Sequence, residues 1–251
     1  MTFEKLFRNC AYDIKYQECG NRVNYAFIED SRTLYIYFEG SNGDVDWRRN
    51  FSYWRKPYKD MTINYRVHGG FLTAWKEVQD IVIAKIKETK SVIDLDYKWQ
   101  KIVVIGYSHG GALAAFAHEC VWYHRPDIKE NCWGISFEGP RIYSGFKVKS
   151  ELQERWKNFR VFRNRADIVT HMPPCAFGFC HVGKMVKIGG KWKPFAALWQ
   201  WIKSGLKDTK AAREIVAVWP HYQSEMVKSL KAFDESEDGR LLRIDMGFDE
   251  R

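Results

Sequence analysis

No run of 18 apolar residues occurs in this sequence, so it offers no segment that reads as a membrane-spanning helix. The first ten residues, Met1-Thr-Phe-Glu-Lys-Leu-Phe-Arg-Asn-Cys10, lack the apolar core of a secretory signal. A cytoplasmic setting is therefore expected, with peripheral membrane contact as its variant. Without an export signal, the six cysteines are expected as reduced thiols rather than three bridges. Cys175 and Cys180 do not form a CxxC, and no second pair accompanies them, so no zinc or other metal is expected. Acidic residues are in deficit as well. Asp and Glu total 31 against 40 Lys and Arg, a formal charge of +9 that favours anionic partners. No nucleic-acid-binding motif goes with that charge, so nucleic acid is not expected, and an anionic lipid surface is one candidate partner. Internal repeats and low-complexity linkers are missing too.

What is present is globular. Hydrophobic residues make up 45% and aromatics 16% of 251 residues, enough for one α/β domain spanning 1–251. The most informative stretch is Lys101-Ile-Val-Val-Ile-Gly-Tyr-Ser-His-Gly-Gly-Ala-Leu-Ala-Ala-Phe116. A β-branched run enters Gly106-Tyr107-Ser108-His109-Gly110, and an alanine-rich helical pattern leaves it. Strand, Gly-x-Ser-x-Gly turn and helix together form the nucleophile elbow of α/β-hydrolases, in which a strained serine is lifted above the sheet. Gly106 and Gly110 stand where a Cβ would collide across the turn.

The rest of the chain supplies a matching framework. Residues 5–20 begin with a helical pattern, and 23–29 and 33–39 read as a hairpin turning at Asp30-Ser31-Arg32. Thr62 to His68 reads as a strand and Phe71 to Lys87 as an amphipathic helix. Cys132 to Phe137 and Phe159 to Phe162 read as buried strands, with Leu152 to Trp156 as helix between them. Near the acidic C-terminal end, Leu241 to Met246 reads as an edge strand. Alternating strands and helices predict a mostly parallel central sheet with helices on both faces.

A serine hydroxyl becomes nucleophilic when a histidine takes its proton and a carboxylate orients that histidine. In this fold the acid and then the base follow the serine along the chain. Asp167, just past the strand at Phe159 to Phe162, is the best-placed acid. Of seven histidines, His109 and His118 lie too near Ser108 on its own helix, and His124 lies at that helix's far end. His68, His171 and His181 remain open, although two of them precede or crowd the acid. His221, in the loop Val218-Trp-Pro-His-Tyr-Gln-Ser-Glu-Met226, is preferred as base.

These motifs, in this order, resemble the class 3 lipases, the fungal-type triacylglycerol lipase family of α/β-hydrolases. Gly106 to Ala114 is similar to the family's nucleophile box. Val67-His-Gly-Gly-Phe71 with Ala74-Trp75 is similar to its helix entry, Asp167-Ile-Val-Thr-His-Met-Pro-Pro174 to its acid loop, and Phe177 to Gly183 to the strand after that. The resemblance covers roughly residues 30–225. It implies the α/β-hydrolase fold, Ser108, Asp167 and His221 as nucleophile, acid and base, and a structural role for His181. It also implies ester chemistry that needs no metal or organic cofactor. Glu39-Gly40-Ser41 resembles the oxyanion-hole segment, with the Ser41 amide and hydroxyl and the His109 amide as donors. Two residues depart from the family pattern. Glu39 stands where an arginine is usual, and His109 where an apolar residue is common.

Two segments are candidates for contact with lipid. Asp44 to Trp54, with Trp47, Phe51 and Trp54, occupies the family's lid position. Pro194 to Leu206 places Phe195, Leu198, Trp199, Ile202 and Leu206 on one helical face, within a lysine-rich stretch that contains only Asp208 as an acid. The expectation is a lipid-ester hydrolase acting through a Ser-His-Asp triad. The rivals are an esterase for small or aromatic soluble esters and a catalytically inactive scaffold that binds lipid or protein.

Overall fold

The computed structural model describes residues 1–20, 23–40, 54–59, 64–91, 93–164, 167, 169–189 and 223–250. Numbered along the chain, its strands are β1 (Gln17–Cys19), β2 (Val23–Asp30), β3 (Thr33–Phe38), β4 (Arg55–Tyr58), β5 (Tyr65–His68), β6 (Lys101–Tyr107), β7 (Cys132–Phe137), β8 (Tyr143–Ser144), β9 (Phe159–Asn164), β10 (Phe179–Cys180) and β11 (Lys184–Ile188). Seven of them form one sheet in the order β1-β2-β3-β6-β7-β9-β11. From β3 onward each neighbouring pair is parallel, while β1, β2 and β3 meander antiparallel at one edge. The α/β-hydrolase expectation therefore holds in its central feature.

The strand that feeds the elbow shows why it reads as a continuous apolar run. Ile102 and Val104 of β6 face one half of the core, and Val103, Ile105 and Tyr107 face the other. A strand covered on both faces has no polar side to display. The first half holds the long helix Gly69–Ile86 and the elbow helix His109–His124, whose buried alanines allow close approach to the sheet. On the elbow helix a Cβ at Gly111 would strike Ser136 of β7 and the backbone of Gly139. The second half gathers Phe3, Leu6 and Phe7 of the N-terminal helix Phe3–Arg8 with Met226 and Leu230 from the helical residues 223–235.

Three elements differ from expectation. The opening helix is shorter: a wider turn at Asn9–Asp13 follows it, and Gln17–Cys19 joins the sheet as β1. The strand expected at 62–68 is present as β5, but it pairs antiparallel in a separate small sheet ordered β10-β8-β5-β4. Leu241–Met246 is not an edge strand, because Glu237–Asp245 is a helix. Its start carries the helical signals. Ser236 caps it by accepting the Gly239 N–H at 3.1 Å, and Glu237 and Asp238 occupy the first turn.

The small sheet is joined to the elbow helix by a buried charge cluster. Glu119 of that helix accepts the Tyr65 hydroxyl of β5 and pairs with Arg155, and both charged side chains are buried. This junction holds β5 in place, and the C-terminal end of β5 leads straight into the long helix Gly69–Ile86.

Candidate active site

Ser108 lies at the end of β6 with φ 52° and ψ −119°, a conformation that an L-residue adopts only when its surroundings impose it. The elbow imposes it here. The Ser108 amide donates to the Phe137 carbonyl at 2.9 Å, and Gly111 donates to the Ser108 carbonyl at 2.9 Å. A Cβ on Gly106 would fall into the Gly110 carbonyl, and one on Gly110 into the Phe38 carbonyl. Both glycines are therefore required for the turn to close. Ser108 is buried, directly preceding the first residue of the elbow helix.

Gly40 follows the C-terminal end of β3 beside the serine. A Cβ there would lie 3.5 Å from that of Ser108 and 3.1 Å from the Tyr107 ring. Gly40, from the segment expected to supply an oxyanion donor, thus lies close against Ser108. Glu39, where the family usually has arginine, is anchored to β2: Asn24 Nδ2 donates to its carboxylate at 2.7 Å, and its own amide donates to the Asn24 carbonyl at 3.0 Å.

His109 is buried in the first turn of the elbow helix, its ring 5.6 Å from that of Phe71. Phe71 in turn lies 4.3 Å from the ring of His68, which caps the long helix by accepting the Phe71 amide at 3.4 Å. Burial first, and the nearby His109 second, push the His68 imidazole down to about 4. The flank of the serine on this side is therefore aromatic and carries no cation on His68 near neutral pH. Trp54, a candidate lid residue, is exposed and lies against the start of the long helix, where its carbonyl accepts the Gly69 amide at 2.9 Å.

Asp167 follows β9, two strands away from β6 in the sheet. Its amide donates to the Asn164 carbonyl at 3.1 Å, and one carboxylate oxygen, Oδ1, accepts the Val169 amide at 2.9 Å. The other, Oδ2, is buried with no hydrogen-bond partner among the described residues. Burial raises this carboxyl to about 7, against the Val169 N–H and the Arg163 charge, which favour ionisation.

The histidines that follow Asp167 closely in sequence are otherwise engaged. His181 Nε2 lies 2.8 Å from the Thr170 carbonyl, and burial lowers its imidazole to about 3. Nδ1 of His171 lies 2.8 Å from Arg163, and burial, Arg163 and Arg141 together bring that imidazole down to about 4. His118 packs against Phe159 with its ring centroid 5.4 Å away, on the face opposite Tyr107. Ser41, His221, Trp47, Phe51, Phe195 and Trp199 lie outside the described residues.

Glu138 is the site residue that sequence reasoning passed over. It directly follows β7, between the strands that lead to Ser108 and to Asp167, and is buried at a positive φ of 52°. A carboxylate between the apolar run Cys132–Phe137 and Gly139-Pro140 was the available signal. Gln223 was passed over as well. It accepts the Tyr12 hydroxyl at 3.0 Å and hydrogen-bonds Tyr107, the residue before the serine.

The family model described as Lipase (class 3) matches residues 35–177. A lipase of Rhizomucor miehei is 27% identical over 161 residues, covering 62% of this chain and 42% of that protein. A secreted mono- and diacylglycerol lipase of Fusarium solani is 31% identical over 155 residues, covering 60% and 42% respectively. The chain thus matches less than half the length of these curated relatives. Among solved structures, a propeptide complex of the Rhizomucor miehei lipase aligns with a TM-score of 0.57 at 25% identity, over 70% of this chain and 55% of that one. Because the family model spans more than half of the chain, this protein belongs to the class 3 lipase family.

Proposed function

We propose that the chain is a serine carboxylic-ester hydrolase acting on lipid esters, with Ser108 as nucleophile, Asp167 as acid and His221 as base. The observation that carries the reading is the imposed conformation of Ser108 at the end of a buried parallel strand. Asp167 supports it by presenting a buried oxygen that no described residue occupies. His171 and His181, the histidines nearest Asp167 along the chain, are engaged with Arg163 and the Thr170 carbonyl, which favours His221 as the base.

In this mechanism Ser108 Oγ bonds to the ester carbonyl carbon as its proton passes to His221. Asp167 orients the imidazole and balances the imidazolium charge. The carbonyl oxygen gains the negative charge, and the His109 and Ser41 amides are the proposed donors to it. Collapse of the tetrahedral intermediate expels the alcohol, which takes the proton from His221. Water then attacks the acyl-enzyme by the same route and releases the carboxylic acid. A fluorophosphonate probe should label the wild type and not Ser108→Ala. Labelling that survives the substitution would show that another residue is the nucleophile.

The partner is an anionic lipid surface in this reading, and the small sheet supports it. Arg55, Lys56, Arg66, Lys147 and Lys149 are exposed, and residues 54–59, 64–68 and 141–149 contain no carboxylate. Trp54, Phe146 and Phe177 add exposed aromatic surface nearby. The patch is continuous: Arg66 donates to the Arg55 carbonyl at 3.2 Å, Arg55 to that of Phe177, and Gly145 to that of Gly178 at 2.8 Å. Each cation near an anionic membrane contributes roughly 1 kcal/mol, screened by salt. Sedimentation with phosphatidylserine vesicles should fall for Arg66→Glu/Lys147→Glu. Equal binding to neutral vesicles would remove this part of the reading. A soluble-ester esterase would instead hydrolyse short p-nitrophenyl esters without any gain from vesicles.

A further inference from the structure

Glu138 is a buried acid that the mechanism above leaves unused. The ends of three parallel strands meet here in register. Tyr107 of β6 pairs with Phe137 of β7, the Ser108 amide donates to the Phe137 carbonyl, and the Glu138 amide donates to Phe162 of β9 at 2.9 Å. Glu138 therefore stands between the strand that presents the nucleophile and the strand that leads to the acid. Its positive φ is a conformation that favours glycine, and its carboxyl oxygen Oε1 is buried without a hydrogen-bond partner among the described residues. Asp167 Oδ2 is buried and unpartnered in the same way. Strain, burial and a missing partner coincide on a single side chain at the strand ends, an arrangement with no evident structural return.

The surroundings decide how these two carboxyls share charge. Glu138 is within electrostatic reach of Asp167, of the Tyr107 phenol at the end of β6 and of the Tyr12 phenol of the N-terminal turn. Gln223 hydrogen-bonds both phenols, and Arg8 influences Tyr12 while itself pairing with Glu4. Among the described residues no lysine or arginine offsets Glu138. Asp167, in contrast, has the Val169 amide and the Arg163 charge in its favour. Two buried carboxyls within electrostatic reach of each other resist carrying two charges near neutral pH, and the better-supported one takes the charge.

We propose that Glu138 and Asp167 hold one negative charge between them at neutral pH, with the proton kept on Glu138, which makes Glu138 a positioning residue acting through the acid. The inference rests on the reading of Asp167 as the acid of the triad. Burial, with the charge of Asp167 added to it, holds the Glu138 carboxyl well above the usual carboxylate range, in keeping with this arrangement. The consequence is chemical. A single charge orients the base and stabilises its imidazolium, whereas a second would hold a proton on the base and leave the serine unactivated. Ionisation of Glu138 accordingly sets an alkaline limit on reactivity.

The test has two readouts. The pH dependence of fluorophosphonate labelling of Ser108 should show an alkaline limb that moves upward by about one unit or more in Glu138→Gln, since the amide cannot ionise. An alkaline limb identical in the two proteins would overturn the proposal. Infrared spectra of the wild type at neutral pH should show a buried carboxylic-acid band that is absent from Glu138→Gln, and absence of the band from the wild type would overturn it as well. If Glu138→Gln does not fold, Asp167→Asn takes its place. Without the neighbouring charge, the Glu138 band should titrate away at lower pH than in the wild type, and an unshifted band would refute the shared charge. A wild type that is not labelled at all would overturn the hydrolase reading, and the infrared titrations would still decide whether the pair holds one charge.

Discussion

Two buried carboxylate sites, one on the elbow helix and one at the ends of the central strands, are built in opposite ways. On the elbow helix Glu119 meets Arg155 and the Tyr65 hydroxyl, so its charge has a cation and a donor close by. At the strand ends Glu138 and Asp167 each keep a buried oxygen without a partner among the described residues. All four ionisable groups are almost wholly removed from water: Glu119 is 0% and Arg155 3% exposed, Glu138 2% and Asp167 6%. Burial therefore does not separate the sites, but compensation does. A compensated carboxylate fastens the elbow helix to the small sheet. An uncompensated one is costly to keep, and its position beside a strained serine gives the reason for keeping it.

Substitutions that remove one partner from each site set the two against each other. The largest effect is expected for Asp167→Asn, which should slow reaction at Ser108 by about 10⁴-fold, since an amide leaves the base in the wrong tautomer. The same change should leave thermal stability at neutral pH unharmed or raised, because it removes a poorly compensated group. Probe labelling beside a melting curve checks both halves. A melting temperature that collapses with the labelling would make Asp167 a structural residue and end the contrast.

Arg155→Leu should give the reverse pattern. It leaves Glu119 buried without its cation, at a cost of about 3–5 kcal/mol in denaturant unfolding. Replacing both partners, as Glu119→Leu/Arg155→Met, should recover most of that loss. If the single and double variants are equally unstable, packing rather than charge compensation governs this site.

A smaller effect should appear in the pH dependence of stability. The Asp167 carboxyl is raised from 3.8 to about 7, so between those values the unfolded chain has released a proton that the folded chain retains. The contribution is fully present below pH 4 and is lost as pH rises through about 7. Within that window the slope is at most about 1.4 kcal/mol per pH unit, and it should flatten in Asp167→Asn. Unfolding free energies at pH 5, 6 and 7 measure it. A stability profile unaffected by the substitution would mean that Asp167 is ionised and compensated in the folded protein.

The elbow was legible in the sequence because its constraints are local. Gly106, Ser108, Gly110 and Gly111 lie within six residues, and each glycine answers to an atom that the turn itself or an adjoining strand brings close. The hairpin of β2 and β3, the long helix and β7 were legible for the same reason, since period and boundary residues suffice to mark them. Leu241–Met246 misled because apolar residues at 242, 244 and 246 alternate over a span too short to separate the two periods. The Ser236 cap with its following acids was the stronger local sign of a helix.

Other features were settled only in three dimensions. The small sheet draws β4, β5, β8 and β10 from positions up to 125 residues apart, from Arg55 to Cys180, and two of its strands are only two residues long. No periodicity identifies such strands before their partners are known. Glu138 is similar: at the end of an apolar run it reads as a solvated turn residue. Only the parallel registers of β6, β7 and β9 bring it in between Ser108 and Asp167 and away from water. The strained Ser108 and its flanking glycines were visible because a tight turn needs particular side chains in sequence. The electrostatic setting around them depends on neighbours that lie far away along the chain, so the tertiary structure alone decided it.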